Sequence, residues 1–370
     1  MLPPDPPPRP LPEGDYPIIG PELATYGVVQ PLAQQLGRAM LGTLHDRVGD
    51  TYLPDGDTYQ ADREACLTPS PSAGPPPAMQ ACPRWPSSSW GRVYGQTFNN
   101  HYRAFADPRA DGGLYGFQLG LDLLRDAVIP DHLDRAGFYI AYGNLHSDVY
   151  GIVTNATATN YVDARTGRVN LDAWAGGAYW THVGSSGWYL DGVVQGTSYS
   201  GTASTQFARL RAIGTGFLAS LEGGYPFAFS PLGSNFVLEP QGQIVWQHTA
   251  FDRRNDGEGD VGLGSANMTS GRVGVRGKWT IETDDHQVWQ PYARVNLWDD
   301  WNARSRTNFG GTNVILLAGG ERLEVGGGVT VRMRDYLSFY LNADYEFAVG
   351  HNDGGRRDGV RGAAGVRYSW

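Results

Sequence analysis

The residues able to do chemistry are few and dispersed. Asp284, Asp285 and His286 stand side by side, and carboxylates next to an imidazole are the groups of acid–base hydrolysis. His101, His132, His146, His182 and His351 are scattered. No Gly-x-Ser-x-Gly elbow, phosphate loop or His-Glu-x-x-His site occurs in the chain. Cys66 and Cys82 are too few to build a metal site, and nothing implies a cofactor. In an oxidising compartment the two would pair, stabilising the chain by about 3 kcal/mol; otherwise they are free thiols in a linker. Asn155-Ala156-Thr157 matches a glycosylation acceptor. What the chain has in quantity is formal charge placed on alternate residues, and such placement acquires meaning only on β-strands.

The elements divide by composition. Of 24 prolines, 18 precede residue 91. Residues 1–21 read as a Pro-rich linker with no apolar signal segment, so an exported protein would carry this chain as a C-terminal piece. Residues 22–49 carry a helical pattern, with Leu32, Leu36, Met40 and Leu44 at four-residue spacing and Gly49 as a cap. Pro31 suits a helix start or a kink, and from there to Val48 the helix would run about 27 Å, close to the apolar thickness of a bilayer. Gly37 and Gly42 are costly inside a helix unless something packs close to them. Residues 50–88 return to Pro-rich sequence around the two cysteines.

From residue 89 the period becomes two. In 336–347, Leu337, Phe339, Leu341, Ala343, Tyr345 and Phe347 oppose Tyr336, Ser338, Tyr340, Asn342, Asp344 and Glu346. Twelve such segments run from 90–104 to 359–370. Connections after odd segments are often long (149–167, 251–268, 299–320), and most of those after even ones are short (183–186, 228–235, 282–287). Alternation alone fits a β-sandwich or solenoid as well. The polar faces, however, hold charges at mid-strand, and Trp188, Trp246, Trp279, Trp289 and Trp370 gather toward strand ends. A water-filled lumen with aromatic girdles requires that arrangement. No run of 18 apolar residues exists, which excludes a membrane-spanning helix but not spanning strands. With 38 acidic against 29 basic residues, only one of them lysine (Lys278), a nucleic-acid partner is disfavoured.

Ordered along the chain are LAQQLGRAMLGTLHDRVGD (32–50), SWGRVYGQ (89–96), LDAWAGGAYWTH (171–182), SLEGGYPF (220–227), LEPQGQIVWQ (238–247), WQPYARVNLW (289–298), LEVGGGVT (323–330) and the terminal GVRYSW (365–370). Through these the sequence resembles the C-terminal translocator domain of type V autotransporters, the pertactin/AIDA-like group, over residues 22–370. The resemblance implies an all-β fold, a 12-stranded antiparallel transmembrane barrel (89–370) with the N-terminal helix in its pore. It implies a protein in the outer membrane of a Gram-negative bacterium, bringing its own N-terminal passenger to the cell surface; one chain of twelve strands can close alone, which suits a monomer and leaves oligomeric state open. Its partners would be that passenger, outer-membrane lipid and lipopolysaccharide, the barrel assembly machinery and periplasmic chaperones. The 50–88 insert has no counterpart in the family pattern.

The strand faces then place charges around a lumen. Asp122, Asp172, Asp191, Glu222 and Glu239 form an acidic wall; Arg272, Arg276, Arg294, Arg332, Arg361 and Arg367 lean the other wall basic. Arg38 and Arg47 of the helix would face the acidic wall, with Glu222 and Glu239 as partners, unless these charges are simply solvated. Asn99-Asn100 reads as a loop dipeptide, and the helix contains no Asn, which argues against self-cleavage within it. A porin-like channel is the alternative function. A barrel hydrolase is less favoured, because Asp284–His286 falls in a turn on the periplasmic side and no outward His has a Ser partner. Tyr368 and Trp370 read both as girdle aromatics and as the signal of the assembly machinery. Deleting Trp370 is expected to lower the amount of barrel in the membrane fraction of cells; unchanged insertion would remove the signal role.

Overall fold

The computed structural model describes residues 17–49, 88–126, 132–284, 287–334, 336–350 and 354–370. Cys66 and Cys82, most of the 50–88 insert, Asp285 and His286 lie outside the described residues. So do residues 1–16 of the linker.

Among the described residues, twelve long strands follow one another: β1 (Ser88–Tyr102), β2 (Arg109–Asp126), β3 (Leu133–Thr154), β4 (Tyr161–Val183), β5 (Tyr189–Ser204), β6 (Arg209–Gly224), β7 (Phe236–Asn255), β8 (Asp260–Trp279), β9 (Val288–Phe309), β10 (Glu321–Arg334), β11 (Leu337–Ala348) and β12 (Gly355–Ser369). Each pairs antiparallel with its neighbour, and β12 returns to β1 from Ser88↔Ser369 to Tyr102↔Gly355. The ladder therefore closes into a barrel without an edge. Lipid demands this, because hydrocarbon offers no partner to an unpaired N–H or C=O.

Burial is inverted relative to a water-soluble fold. On β8, Arg272 is 2% exposed and its neighbour Val273 is 62% exposed. Other strands repeat the pattern, with Leu119, Ile140, Val295 and Leu341 facing out and Gln118, Asn296 and Asn342 facing in. Branched and aromatic residues satisfy both the strand backbone and the surrounding apolar medium.

Inside lie, among the described residues, three helices, α1 (Glu22–Gly27), α2 (Val29–Leu41) and α3 (Leu44–Val48). The stripe Leu32–Leu36–Met40 is fully buried within the pore. Leu36 and Met40 face Gly143 of β3, where a Cβ would come within 2.8 Å of Leu36. Ala141, Leu145, Leu171 and Ala173 complete this apolar side of the lumen. The opposite side of α2 is polar. Gln30 Nε2 donates to the carbonyl of Gly264 (2.7 Å), and Gln34 to that of Ala266 (3.4 Å). The lumen is thus not polar all round. It offers an apolar half and a polar half that match the two faces of an amphipathic helix.

The structure corrects three expectations. The connections read as long loops are largely strand: β3 and β4 are separated by 155–160 only, β7 and β8 by 256–259, and β9 runs on to Phe309 before a hairpin to Thr312–Leu317. Beyond the membrane the outward face no longer needs apolar residues, so hydrophobic alternation lapses while the backbone ladder continues. Asn100 is not in a loop; it sits in β1, buried, and donates to Gln35 Oε1 (2.7 Å) and Tyr102 Oη (2.9 Å). Gly42 lies between α2 and α3 rather than inside a helix, at φ 64°, ψ −179°. A Cβ there would meet the Arg92 guanidinium at 2.5 Å, just as one at Gly37 would meet Tyr199 Oη at 2.7 Å. That backbone region is nearly restricted to glycine. Gly42→Val is expected to cost about 1–3 kcal/mol and to lower the temperature at which the folded barrel loses its compact electrophoretic mobility.

Candidate translocation pore

The helix crosses the barrel in a defined direction. At the end of the long hairpins, Ile19 N donates to Thr154 Oγ1 (2.8 Å), Thr205 Oγ1 to Glu22 (2.7 Å) and Tyr26 Oη to Asp256 (3.0 Å). At the other end α3 lies among the starts of the odd strands and the ends of the even ones. Thr43 and Asp46 cap α3 reciprocally, each side chain accepting from the other's backbone N–H at 3.2 Å. The cap fixes where the next three side chains point.

Those side chains diverge to different walls. Arg47 Nη2 meets Asp191 of β5 at 2.6 Å and stacks over Tyr179. His45 Nε2 meets Glu239 of β7 at 3.0 Å. Asp46 turns the opposite way, to Arg294 of β9 at 3.0 Å. Arg294 is held in turn by both oxygens of Asp344 (2.7 and 2.6 Å). Glu222 takes the N–H of Leu44 (3.0 Å) and pairs with Arg272 (3.0 Å). From β1, Arg92 donates to the carbonyls of Ala39 (3.2 Å) and Met40 (3.0 Å), capping the end of α2 with positive charge where the helix dipole is negative. Higher up, Arg38 Nη1 reaches Asp300 of β9 at 3.3 Å; Asp300 also binds Arg322 (2.6 Å) and Arg357 (3.2 Å). Arg38 and Arg322 both lie over the Trp298 ring.

A family model described as the autotransporter beta-domain matches residues 89–344. The chain belongs to the autotransporter β-domain family. It is 29% identical over 180 residues (47% of this chain, 17% of the relative) to the BrkA autotransporter of Bordetella pertussis. Over 266 residues (69% of this chain, 25% of the relative) it is 24% identical to the probable autotransporter YcgV of Escherichia coli. It spans a quarter or less of these curated relatives. In fold it is similar to the transport unit of AIDA-I from Escherichia coli (17% identity, 86% of this chain and 100% of that one, TM-score 0.62). The β domain of Bordetella BrkA is also similar (22% identity, 77% and 100%, TM-score 0.57). This autotransporter β-domain is accordingly an outer-membrane translocator, and autotransporter translocator domains are transport barrels rather than enzymes.

The pairings differ from those expected for this β-domain. Arg38 and Arg47 meet Asp300 and Asp191, not Glu222 and Glu239, which serve Leu44, Arg272 and His45 instead. Asp172 faces outward, not into the lumen, accepting from Tyr142 Oη (2.6 Å) and Asn144 (2.9 Å) beside Trp174. On β4 the odd residues Leu171, Ala173 and Tyr179 point in, so the even parity of Asp172 belongs to the outer surface. Asp122 points in and binds Arg367 (2.8 Å), with Ser88 and Tyr179 donating to it. Arg276 lies over the Tyr292 ring at 3.9 Å, Arg361 pairs with Glu324 (2.9 Å), and Arg332 is half-buried. Tyr368 and Trp370 are exposed on the outer face at the end of β12, ring to ring at 5.6 Å.

Asp300 was hidden because 299–320 reads as loop; its signal was the unbroken even parity Tyr292–Arg294–Asn296–Trp298–Asp300. Arg92 continues the parity of Trp90 and Tyr94 in the same way. Among the described residues, no group of three or more His, Cys, Asp or Glu is placed to hold a metal ion. Asp284 sits in the β8–β9 turn, at the end of the barrel where α3 lies. Arg47→Met is expected to destabilise the folded barrel by about 3–5 kcal/mol, since it strands Asp191, and adding Asp191→Asn should recover most of that loss. A double-mutant cycle on thermal unfolding in detergent measures it.

Proposed function

We propose that this domain carries an N-terminal passenger across the outer membrane and then holds it at the cell surface, with α1–α3 as the tether left in the pore. One observation supports the reading above others: the chain enters the lumen at the long-hairpin end, at Pro17–Ile19, and leaves it at the opposite end. There Val48 precedes the chain that returns as β1. Both ends of the barrel sheet, Ser88 and Ser369, lie on that second side. Sequence upstream of the helix therefore emerges on the side of the hairpins, the side that faces out when β12 ends at the periplasm.

On this reading the chain divides as a passenger-side linker (1–21), pore helix (22–49), periplasmic insert (50–88) and barrel (89–370). The insert's cysteines would pair in the oxidising periplasm. Tyr368 and Trp370 act as the signal to the assembly machinery, periplasmic chaperones escort the unfolded chain, and the barrel works as a monomer among lipid and lipopolysaccharide without catalysis of its own. The helix segments hold no Asn, so passenger release, where it occurs, uses another route than cleavage within them.

The porin-like alternative needs an open lumen. Here Leu32, Leu36 and Met40 are buried against the wall. A void of about 50 Å³ beside Gly42, Arg92 and Arg361 holds no more than a few waters. Reconstituted protein is expected to conduct weakly. Deletion of residues 22–48 should raise single-channel conductance at least about tenfold, as bulk water replaces the helix. Equal, high conductance in both forms would favour the channel. An epitope placed before residue 17 should be accessible to antibody on intact cells; its confinement to the periplasm would overturn the tether reading.

A further inference from the structure

Outside the pore, one surface cleft collects positive charge. It lies on the outward face of β7, β8 and β9, with a volume of about 410 Å³, and is lined by Arg253, Arg304 and Arg306 over Gly262, Gly264 and Ser265. Clefts of this size hold small polar ligands. Strand register sets its height. Trp246, Thr269 and Trp301 share one row, and both tryptophans are exposed on the outer face. Arg304 stands in the next outward row with Asn267 and His248. Arg306 is opposite Ile315, and Arg253 is in the row of Gly262 and Asn308. Arg304 is thus one outward row, about 7 Å of strand, beyond the exposed tryptophans, at the level where lipid headgroups begin.

The charges are also uncompensated. Some arginines of the outer hairpins have carboxylates: Arg109 with Asp163, Arg165 with Asp148, Arg254 with Asp252. Among the described residues, Arg253, Arg304 and Arg306 have none, and the cleft lining contains no Asp or Glu. In a chain of net charge −9, three guanidinium groups converge here without neutralisation. Their planar N–H forks match phosphate oxygens. The glycine floor leaves room for the ligand, and half-exposed Ile315 supplies an apolar edge.

We propose that this cleft binds a phosphate group of an outer-leaflet glycolipid, its acyl chains lying along the apolar belt below. The inference rests on the barrel sitting in the outer membrane with its long hairpins outside. The test uses the whole chain folded in detergent and native mass spectrometry. The probes are lipid A carrying its phosphates, the same lipid dephosphorylated, and inorganic phosphate. The unaltered protein should retain one phosphorylated lipid. R253Q/R304Q/R306Q should bind it at least about tenfold more weakly, and the dephosphorylated lipid should bind the unaltered protein as weakly. Equal retention by variant and parent, or of both lipids, would overturn the proposal. So would inorganic phosphate held at the arginines with no lipid retained. Heat-modifiable mobility checks folding, and R306Q alone, on an exposed hairpin, provides the same comparison if the triple variant does not fold. Passenger display on cells carrying the variant separates this result from the tether reading, which does not need the cleft.

Discussion

A backbone in hydrocarbon must find all its hydrogen-bond partners in itself, and most of this structure follows from that constraint. The ladder has to close, and an even number of strands closes it with both ends of the sheet on one side. Any sequence that is to stand on the other side must therefore pass through the ring. Passing through requires a segment whose own backbone bonds are satisfied, which is why the crossing segment is helical. The helix in turn requires a lumen that accepts it.

The lumen does so with two kinds of contact. On one side, glycine and alanine of β3 and β4 let Leu36 and Met40 approach closely. On the other, charges are matched across the gap between helix and wall. Buried ion pairs seldom add much stability over apolar contacts, but an unmatched member is costly. The network Asp46–Arg294–Asp344 and the pair Arg47–Asp191 consequently specify one rotation and one depth of the helix. Adjacent residues of opposite sign, aimed at opposite walls, cannot both be satisfied after a turn about the axis.

Much of the architecture was legible in the sequence, because a membrane barrel writes its faces as alternate residues. The twelve strands, the helix and the inward parity of Asp122, Asp191, Glu222, Glu239, Arg272 and Arg294 follow from that alternation. It failed where the physics behind it stops. Beyond the membrane the outward face is polar, so the extensions of β3, β4, β7 and β9 read as loop and Asp300 was missed. Parity also misleads if one register is misjudged, as at Asp172. Which carboxylate meets which arginine was not readable, because the helix's rotation is set by the α3 cap and the Gly42 break rather than by any pattern in the strands.

The placement of the helix contacts has a mechanical meaning. A load on the outer end of the chain pulls along the barrel axis. The four bonds of Arg38, His45, Asp46 and Arg47 run across that axis to three different strands, β9 at both Asp300 and Arg294, β7 and β5. They are loaded in shear and share the force, instead of opening one after another as a zipper would. The ring distributes that force over its whole circumference, and on the proposed function this is the direction in which a tethered passenger would pull.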